Sequence, residues 1–256
     1  MKKEARIISS AQKCLQILKY MANVNEELSL NELAEAMDVN KSTMHHYLST
    51  LLLEEFITQN PKTKDYRIGP EAFKVGECYL RRDFPYDEMG KILRELHEKV
   101  DQSVYYFLRT DTKVSCILAK ESPSRDSIHL DLGTAFPLHA SASGKVFLAY
   151  IAKAERDHIF KQTGLPAYTE KTITDRNLLE KEIIQVRLQG YILSDGEYGD
   201  FREIAVPVVG FGDKIVGALS VIGFIEKLSD REIKEVVKHL THYGHIMSDT
   251  VHNVVL

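Results

Sequence analysis

Apolar residues between Ser29 and Ile57 fall into two short runs of helical spacing with a polar interruption between them. In SLNELAEAMDVNKSTMHHYLSTLLLEEFI, Leu30, Leu33, Ala34 and Met37 share one side of a first helix. Ser29 and Glu32 stand at capping-box spacing, where each side chain satisfies an N–H that a helix start leaves without a partner. Asp38-Val39-Asn40 reads as a turn, and Asn40 as the N-cap of a second helix from Lys41 to about Glu54. There Met44, Tyr47, Leu48, Leu51 and Leu52 follow the i, i+3, i+4, i+7, i+8 pattern of a buried stripe. Lys41, Ser42, Thr43, His45, His46, Ser49 and Thr50 lie away from that stripe. Their polar groups of modest length suit phosphates and base edges in a major groove. An ordinary solvated helix face carries the same residue types, so the face alone does not decide.

The segment behind it tips the balance. In TQNPKTKDYRIGP, Thr58 and Tyr66-Arg67-Ile68 pair as a hairpin around a polar turn, with Lys62, Lys64 and Arg67 placing positive charge on or near its tip. A basic hairpin directly behind a helix–turn–helix makes a winged helix, in which the helix enters the major groove and the wing reaches the neighbouring backbone. Upstream, Ser10 caps a helix with Ala11, Cys14, Leu15, Leu18, Met21 and Ala22 in one stripe, preceded by a basic arm carrying Lys2, Lys3 and Arg6.

Downstream, Gly69-Pro70 opens a linker segment whose Gly76 weakens a long helix. Pro85 restricts Phe84 and breaks the chain after Arg81-Arg82-Asp83, which places the domain boundary there: 1–82 and 83–256. A helix from about Tyr86 to Val100 follows. Strands are expected at Val104–Arg109, Val114–Ala119 and Ile128–Leu132, then helices at Ser143–Ile151, Ala154–Phe160 and Asp175–Gln189, the last capped by Thr174. Tyr191–Ser194, Ala205–Val209 and Ile215–Ile222 complete the strands, and Ser229 with Glu232 opens a C-terminal helix. This mixed order predicts an α+β domain, an antiparallel sheet with helices on its faces.

Composition changes the picture little. The chain has 256 residues, a 44% apolar and a 27% charged fraction, and no apolar run long enough to span a bilayer. Its start has no signal-peptide core, so a cytoplasmic protein with no membrane partner is expected. Cys14, Cys78 and Cys116 form neither a CxxC pair nor a metal set, and reduced, packed thiols are the expectation. The net charge of −4 runs against DNA binding, although it divides as +1 over the first 82 residues and −5 over the rest. DNA affinity must then come from local placement of Lys41, Lys62, Lys64 and Arg67, doubled by dimerisation.

Over nearly its whole length the sequence closely resembles the IclR-type transcriptional regulators. ISSAQKCLQILKYMA, LAEAMDVNKSTMHHYL and YRIGPEAFKVG carry the match in the first domain; FPLHASASGKVFLAY, GYILSDGEYGDFREIAVPV and GDKIVGALSVIGF carry it in the second. The resemblance implies an N-terminal winged helix-turn-helix joined by a linker helix to a GAF-like α/β-sandwich effector domain. It further implies a homodimer or homotetramer on double-stranded operator DNA, a repressor in the favoured reading. Control by a small-molecule effector (an organic acid, a sugar derivative or an aromatic compound) comes with it.

The family's pocket, carried onto this chain, takes in Ala142-Ser143-Gly144, whose backbone N–H groups at a helix start suit a carboxylate. It also takes in Asp195, Glu203, Ser220 and Ile222. Family members frequently have a small residue at the position of Glu203 and serine at that of Ile222. A carboxylate at 203 repels an acidic ligand unless it is protonated or paired, with Arg202 or Arg125, or unless it points away; otherwise the ligand is polyhydroxylated, neutral or cationic. Arginine is frequent in the family at the position of His46, so the contact here is expected to be weaker and more pH-dependent.

Sharper chemistry does not survive inspection. SASGK lacks the glycine and the Ser/Thr of a phosphate loop, since His139 and Val146 stand there. His139 beside Ser141 and Ser143 lacks a nucleophile elbow. His239, His242 and His245 lack the i, i+4 spacing of a helical zinc pair. No catalytic set, metal site or cofactor is expected. The alternatives are a small-molecule enzyme, or a sensor, with an N-terminal interaction module.

Overall fold

In the computed structural model, which describes residues 7–24, 26–83, 85–124 and 126–252, the chain divides after Arg82 into two units. Lys2, Lys3, Arg6, Phe84 and Arg125 lie outside the described residues. Among the described residues no helix is long and apolar enough to cross a membrane.

The first unit packs α1 (Ser9–Val24), α2 (Leu30–Ala36) and α3 (Lys41–Leu53) around Ile17, Met21, Leu33, Met44, Leu48 and Leu51. The capping box forms, with Ser29 N donating to Glu32 Oε2 at 2.8 Å and Glu32 N to Ser29 Oγ at 3.3 Å. Asn40 caps α3 by accepting from Thr43 N at 2.8 Å. The stripe of α1 is rotated from the expected one: Ile17 is buried, while Leu15 stands exposed. Strands β1 (Ile57–Gln59) and β2 (Tyr66–Ile68) form the antiparallel wing, pairing Thr58 with Arg67, and Leu28 bridges to Tyr66. Helix α4 (Pro70–Asp83) continues through Gly76. Of the cysteines, Cys116 is buried and Cys14 half-buried, but Cys78 is exposed on α4 rather than packed.

The second unit is a sandwich around a six-stranded antiparallel sheet of β3 (Ser103–Thr110), β4 (Lys113–Lys120), β5 (Ala135–Pro137), β6 (Ile192–Asp195), β7 (Phe201–Val209) and β8 (Ile215–Phe224). Its order is β5-β4-β3-β8-β7-β6. Helices α5 (Tyr86–Val100) and α9 (Asp230–His252) cover one face through Met89, Leu93, Leu96, Leu240 and Met247. Helices α6 (Ala142–Tyr150), α7 (Lys153–Thr163) and α8 (Arg176–Gln189) cover the other through Val146, Phe147, Ile159, Leu179 and Ile183.

Two local expectations fail for physical reasons. Residues 128–132 form no strand, because side chains take up their backbone groups: Leu130 N donates to Glu121 Oε1 at 3.0 Å, and the Ile128 carbonyl accepts from Tyr105 Oη at 2.7 Å. The edge strand is Ala135–Pro137 instead. Helix α8 is capped by Asp175, whose carboxylate accepts from Leu178 N at 2.9 Å, and not by Thr174.

Candidate functional site

Two surfaces are candidates, one in each unit. In the first, burying Met44, Leu48 and Leu51 leaves Lys41, Ser42, His45, His46, Ser49 and Thr50 exposed along α3, with Thr43 half-buried at its start. Thr50 Oγ1 donates to the His46 carbonyl at 3.0 Å, and Ser49 Oγ lies 3.4 Å from His45 Nδ1, so both hydroxyls are held to the helix. On the wing, Asn60 Oδ1 accepts from Lys62 N at 3.0 Å, and Gln59 Nε2 donates to the Lys64 carbonyl at 2.9 Å; these bonds fix a turn whose exposed tip carries both lysines. Arg67 sits lower, on β2, where it donates to Thr58 Oγ1 at 3.3 Å and approaches Glu27 at 3.7 Å. The tip itself therefore carries the two lysines, with Arg67 near it on the flank beside Glu27.

The second surface is set by strand parity. Register places Ser194, Glu203, Ile222 and Ser103 in one row across β6, β7, β8 and β3, and Ala205, Ser220 and Tyr105 in the next. Since alternate residues share a face, these side chains all point toward α6. The start of α6 is held there by Ser141, whose Oγ donates to the Pro137 carbonyl at 2.8 Å and accepts from Gly144 N at 3.1 Å. Gly144 has to be glycine, because a Cβ would lie 2.5 Å from the Leu138 backbone.

Glu203 is fully buried, and its carboxyl reaches the start of α6. Oε2 accepts from Ala142 N at 2.7 Å and Oε1 from Ser143 N at 3.1 Å. Burial pushes this carboxyl above the ordinary glutamate range; the Ser143 and Ala142 amides and the nearby Ser143 and Ser220 hydroxyls pull it back. Those two hydroxyls lie close enough to act on the charge, yet neither makes a hydrogen bond of normal geometry. Ala142, Ser143, Gly144, Glu203, Ser220 and Ile222 are thus brought together.

Asp195 is not. It follows Ser194 by one residue, so the pleat sends it to the opposite side of β6. There it forms a two-bond pair with Arg202 at 3.0 and 3.1 Å, which, with Lys171 nearby, holds its carboxyl below the ordinary range. Arg202 also donates to the Leu228 carbonyl at 2.7 Å and faces Asp230 at 3.2 Å. It is therefore the partner of Asp195 and not of Glu203; Arg125, the other partner considered, lies outside the described residues.

Sequence reasoning passed over several neighbours. Ser194 is the buried register partner of Glu203, and only the strand pairing reveals it. Lys145, fully buried, is bound by Glu197 and Glu182 at 2.5 Å each; it was legible in the motif only as a failed phosphate loop. The second oxygen of Glu197 is buried without a partner. An aromatic group of Phe107, Phe136, Tyr198 and Phe201 lies along the same face, with Phe136 5.2 Å from Tyr198 and 5.9 Å from Phe201 between ring centroids. His139 lies 3.0 Å from the Pro166 carbonyl through Nε2, and burial lowers its pKa. Among the described residues no group of three or more His, Cys, Asp or Glu could hold a metal ion.

Residues 86–248 match the family model described as the bacterial transcriptional regulator IclR C-terminal domain, and residues 10–61 match the IclR helix-turn-helix domain. The chain is 28% identical over 244 residues to the HTH-type transcriptional regulator XynR of Escherichia coli, covering 94% of this chain and 96% of that protein. It is 26% identical over 231 residues to the transcriptional repressor IclR of the same organism, covering 89% and 84%. A solved structure of an IclR-type regulator from Alicyclobacillus acidocaldarius aligns with a TM-score of 0.83 at 26% identity, covering 96% of this chain and all of that one.

Proposed function

Because this chain belongs to the IclR family of bacterial transcriptional regulators, we propose that α3 and the wing read an operator whose occupancy is set by a small molecule bound on the α6 face of the second unit. It is a regulator and not an enzyme. The observation that carries the DNA-reading assignment is the exposed row Lys41, Ser42, His45, His46 and Ser49 on a helix anchored by a buried stripe, with Lys62 and Lys64 at the wing tip beside it.

In this reading Ser42, Thr43, His46 and Ser49 address base edges, while Lys41, His45, Thr50 and the wing lysines address phosphates; Arg67 steadies the wing. Two copies of the chain present two such helices to half-sites spaced by about one helical turn, ~34–36 Å. Ligand binding shifts that spacing, and a coupling of about 1–3 kcal/mol between the sites suffices for a switch. Repression is the expected outcome, since relatives of this length and organisation include named repressors.

The test is a gel shift with the chain's own upstream intergenic DNA. A sequence-selective, salt-sensitive shift is expected, and its absence would contradict the assignment. A thermal-shift screen against sugar acids, hydroxy acids and aromatic compounds then finds the effector, which must also change operator affinity.

A further inference from the structure

The four N–H groups that open an α-helix form a ready site for an anion. In α6 the first three N–H groups past the N-cap are already taken. Ala142 N and Ser143 N donate to the two oxygens of Glu203 and Gly144 N donates to Ser141 Oγ, while Lys145 N begins the helical ladder by donating to the Ser141 carbonyl at 3.0 Å. The carboxyl that fills the site is the protein's own, delivered from β7 across about 60 residues of sequence separation and fully buried. Beside it the hydroxyls of Ser143 and Ser220, also fully buried, lie close enough to act on the Glu203 carboxyl but make no hydrogen bond of normal geometry. Native proteins seldom leave buried hydroxyls unpaired, so these two mark unused hydrogen-bonding capacity at the same spot.

We propose that Glu203 is a tethered stand-in for a ligand carboxylate: it occupies the anion position at the start of α6, so the effector of this chain is a neutral compound whose hydroxyl or amide groups engage Ser143 and Ser220. This inference rests on the effector-responsive reading above and narrows it. A small carboxylic acid cannot reach the amides without displacing a side chain that is covalently part of the sheet and always present at high local concentration. The site is therefore closed to simple acids.

The test is chemical rescue in the full-length chain, comparing wild type, Glu203→Ala and Glu203→Gln by thermal unfolding in sodium acetate against sodium chloride of equal ionic strength. Wild type should melt at the same temperature in both salts. Glu203→Ala should melt lower in chloride and regain temperature in acetate, with a saturable dependence, because acetate fills the vacated position. Glu203→Gln, whose side chain still fills it, should ignore acetate. A saturable acetate response in wild type, or none in Glu203→Ala, overturns the proposal. If Glu203→Ala does not fold, Glu203→Asp carries the same test, since its shorter arm withdraws the carboxyl from the amides; an acetate response there supports the proposal and its absence overturns it.

Operator binding by the rescued variant keeps the two readings apart. Rescue by acetate, with operator affinity that no small molecule ever moves, leaves the self-filled site standing and removes effector control. Operator control by some ligand without rescue overturns the self-filled site alone.

Discussion

Glu203 makes the second unit sensitive to pH in a definite direction. Its folded-state pKa is raised by burial, so across the window above the ordinary glutamate value the folded chain holds a proton that the unfolded chain has lost. Its contribution to stability is therefore fully present below that ordinary value and is lost as pH rises through the raised one. Urea midpoints of wild type and Glu203→Gln should diverge with rising pH, with wild type losing stability relative to the variant; parallel curves would contradict this. The other residue of consequence is His46, exposed on α3. A guanidinium offers a bidentate contact that imidazole cannot, worth about 1–3 kcal/mol at a guanine. His46→Arg should accordingly tighten operator binding in a fluorescence anisotropy titration, and unchanged affinity would place His46 outside the contact.

At the scale of elements, the turn into α6 is the rigid piece on which the second site depends. Gly144→Ala drives a Cβ into the Leu138 backbone, which cannot yield as a flexible side chain would. The cost should be about 1–3 kcal/mol by urea denaturation, as for other overpacked sites. The wing makes the complementary prediction for DNA. Its lysines face solvent at the tip, so Lys62→Ala with Lys64→Ala should weaken specific and non-specific DNA alike and flatten the dependence of log affinity on log salt by about 0.9 per lost phosphate contact.

Elements were also where sequence spoke most clearly. Local signals wrote themselves into the first unit: Ser29 with Glu32, Asn40 before Lys41, and the stripe of Met44, Leu48 and Leu51 each act within a few residues of chain. What escaped was set by distant pairing. Whether Ser194 or Asp195 faces α6 depends on a parity of one residue, fixed only when β6 finds β7. That Glu203 reaches Ala142 and Ser143 depends on a helix about 60 residues upstream. The apolar run from Ile128 is sound strand material locally, and it fails as a strand because Tyr105 and Glu121 claim its backbone groups.

On the scale of the whole chain, the charge balance finds its explanation. An overall −4 is compatible with the proposed DNA binding because Lys41 on α3 and Lys62 and Lys64 at the wing tip stand exposed, while acidic groups in the second unit are paired within it: Glu197 and Glu182 on Lys145, Asp195 on Arg202. Such a chain should bind non-specific DNA weakly and depend on shape and base contacts for selectivity. The most direct test is fluorescence anisotropy of the full-length chain on its own upstream intergenic DNA and on a scrambled duplex, at low and at physiological salt. Wild type should prefer the intergenic duplex at both salt concentrations, with absolute affinity falling as salt rises. Thr43→Ala combined with His46→Ala should erase the preference while leaving the fold intact by circular dichroism. Equal binding of the two duplexes by wild type, or an undiminished preference in the double variant, would contradict the account.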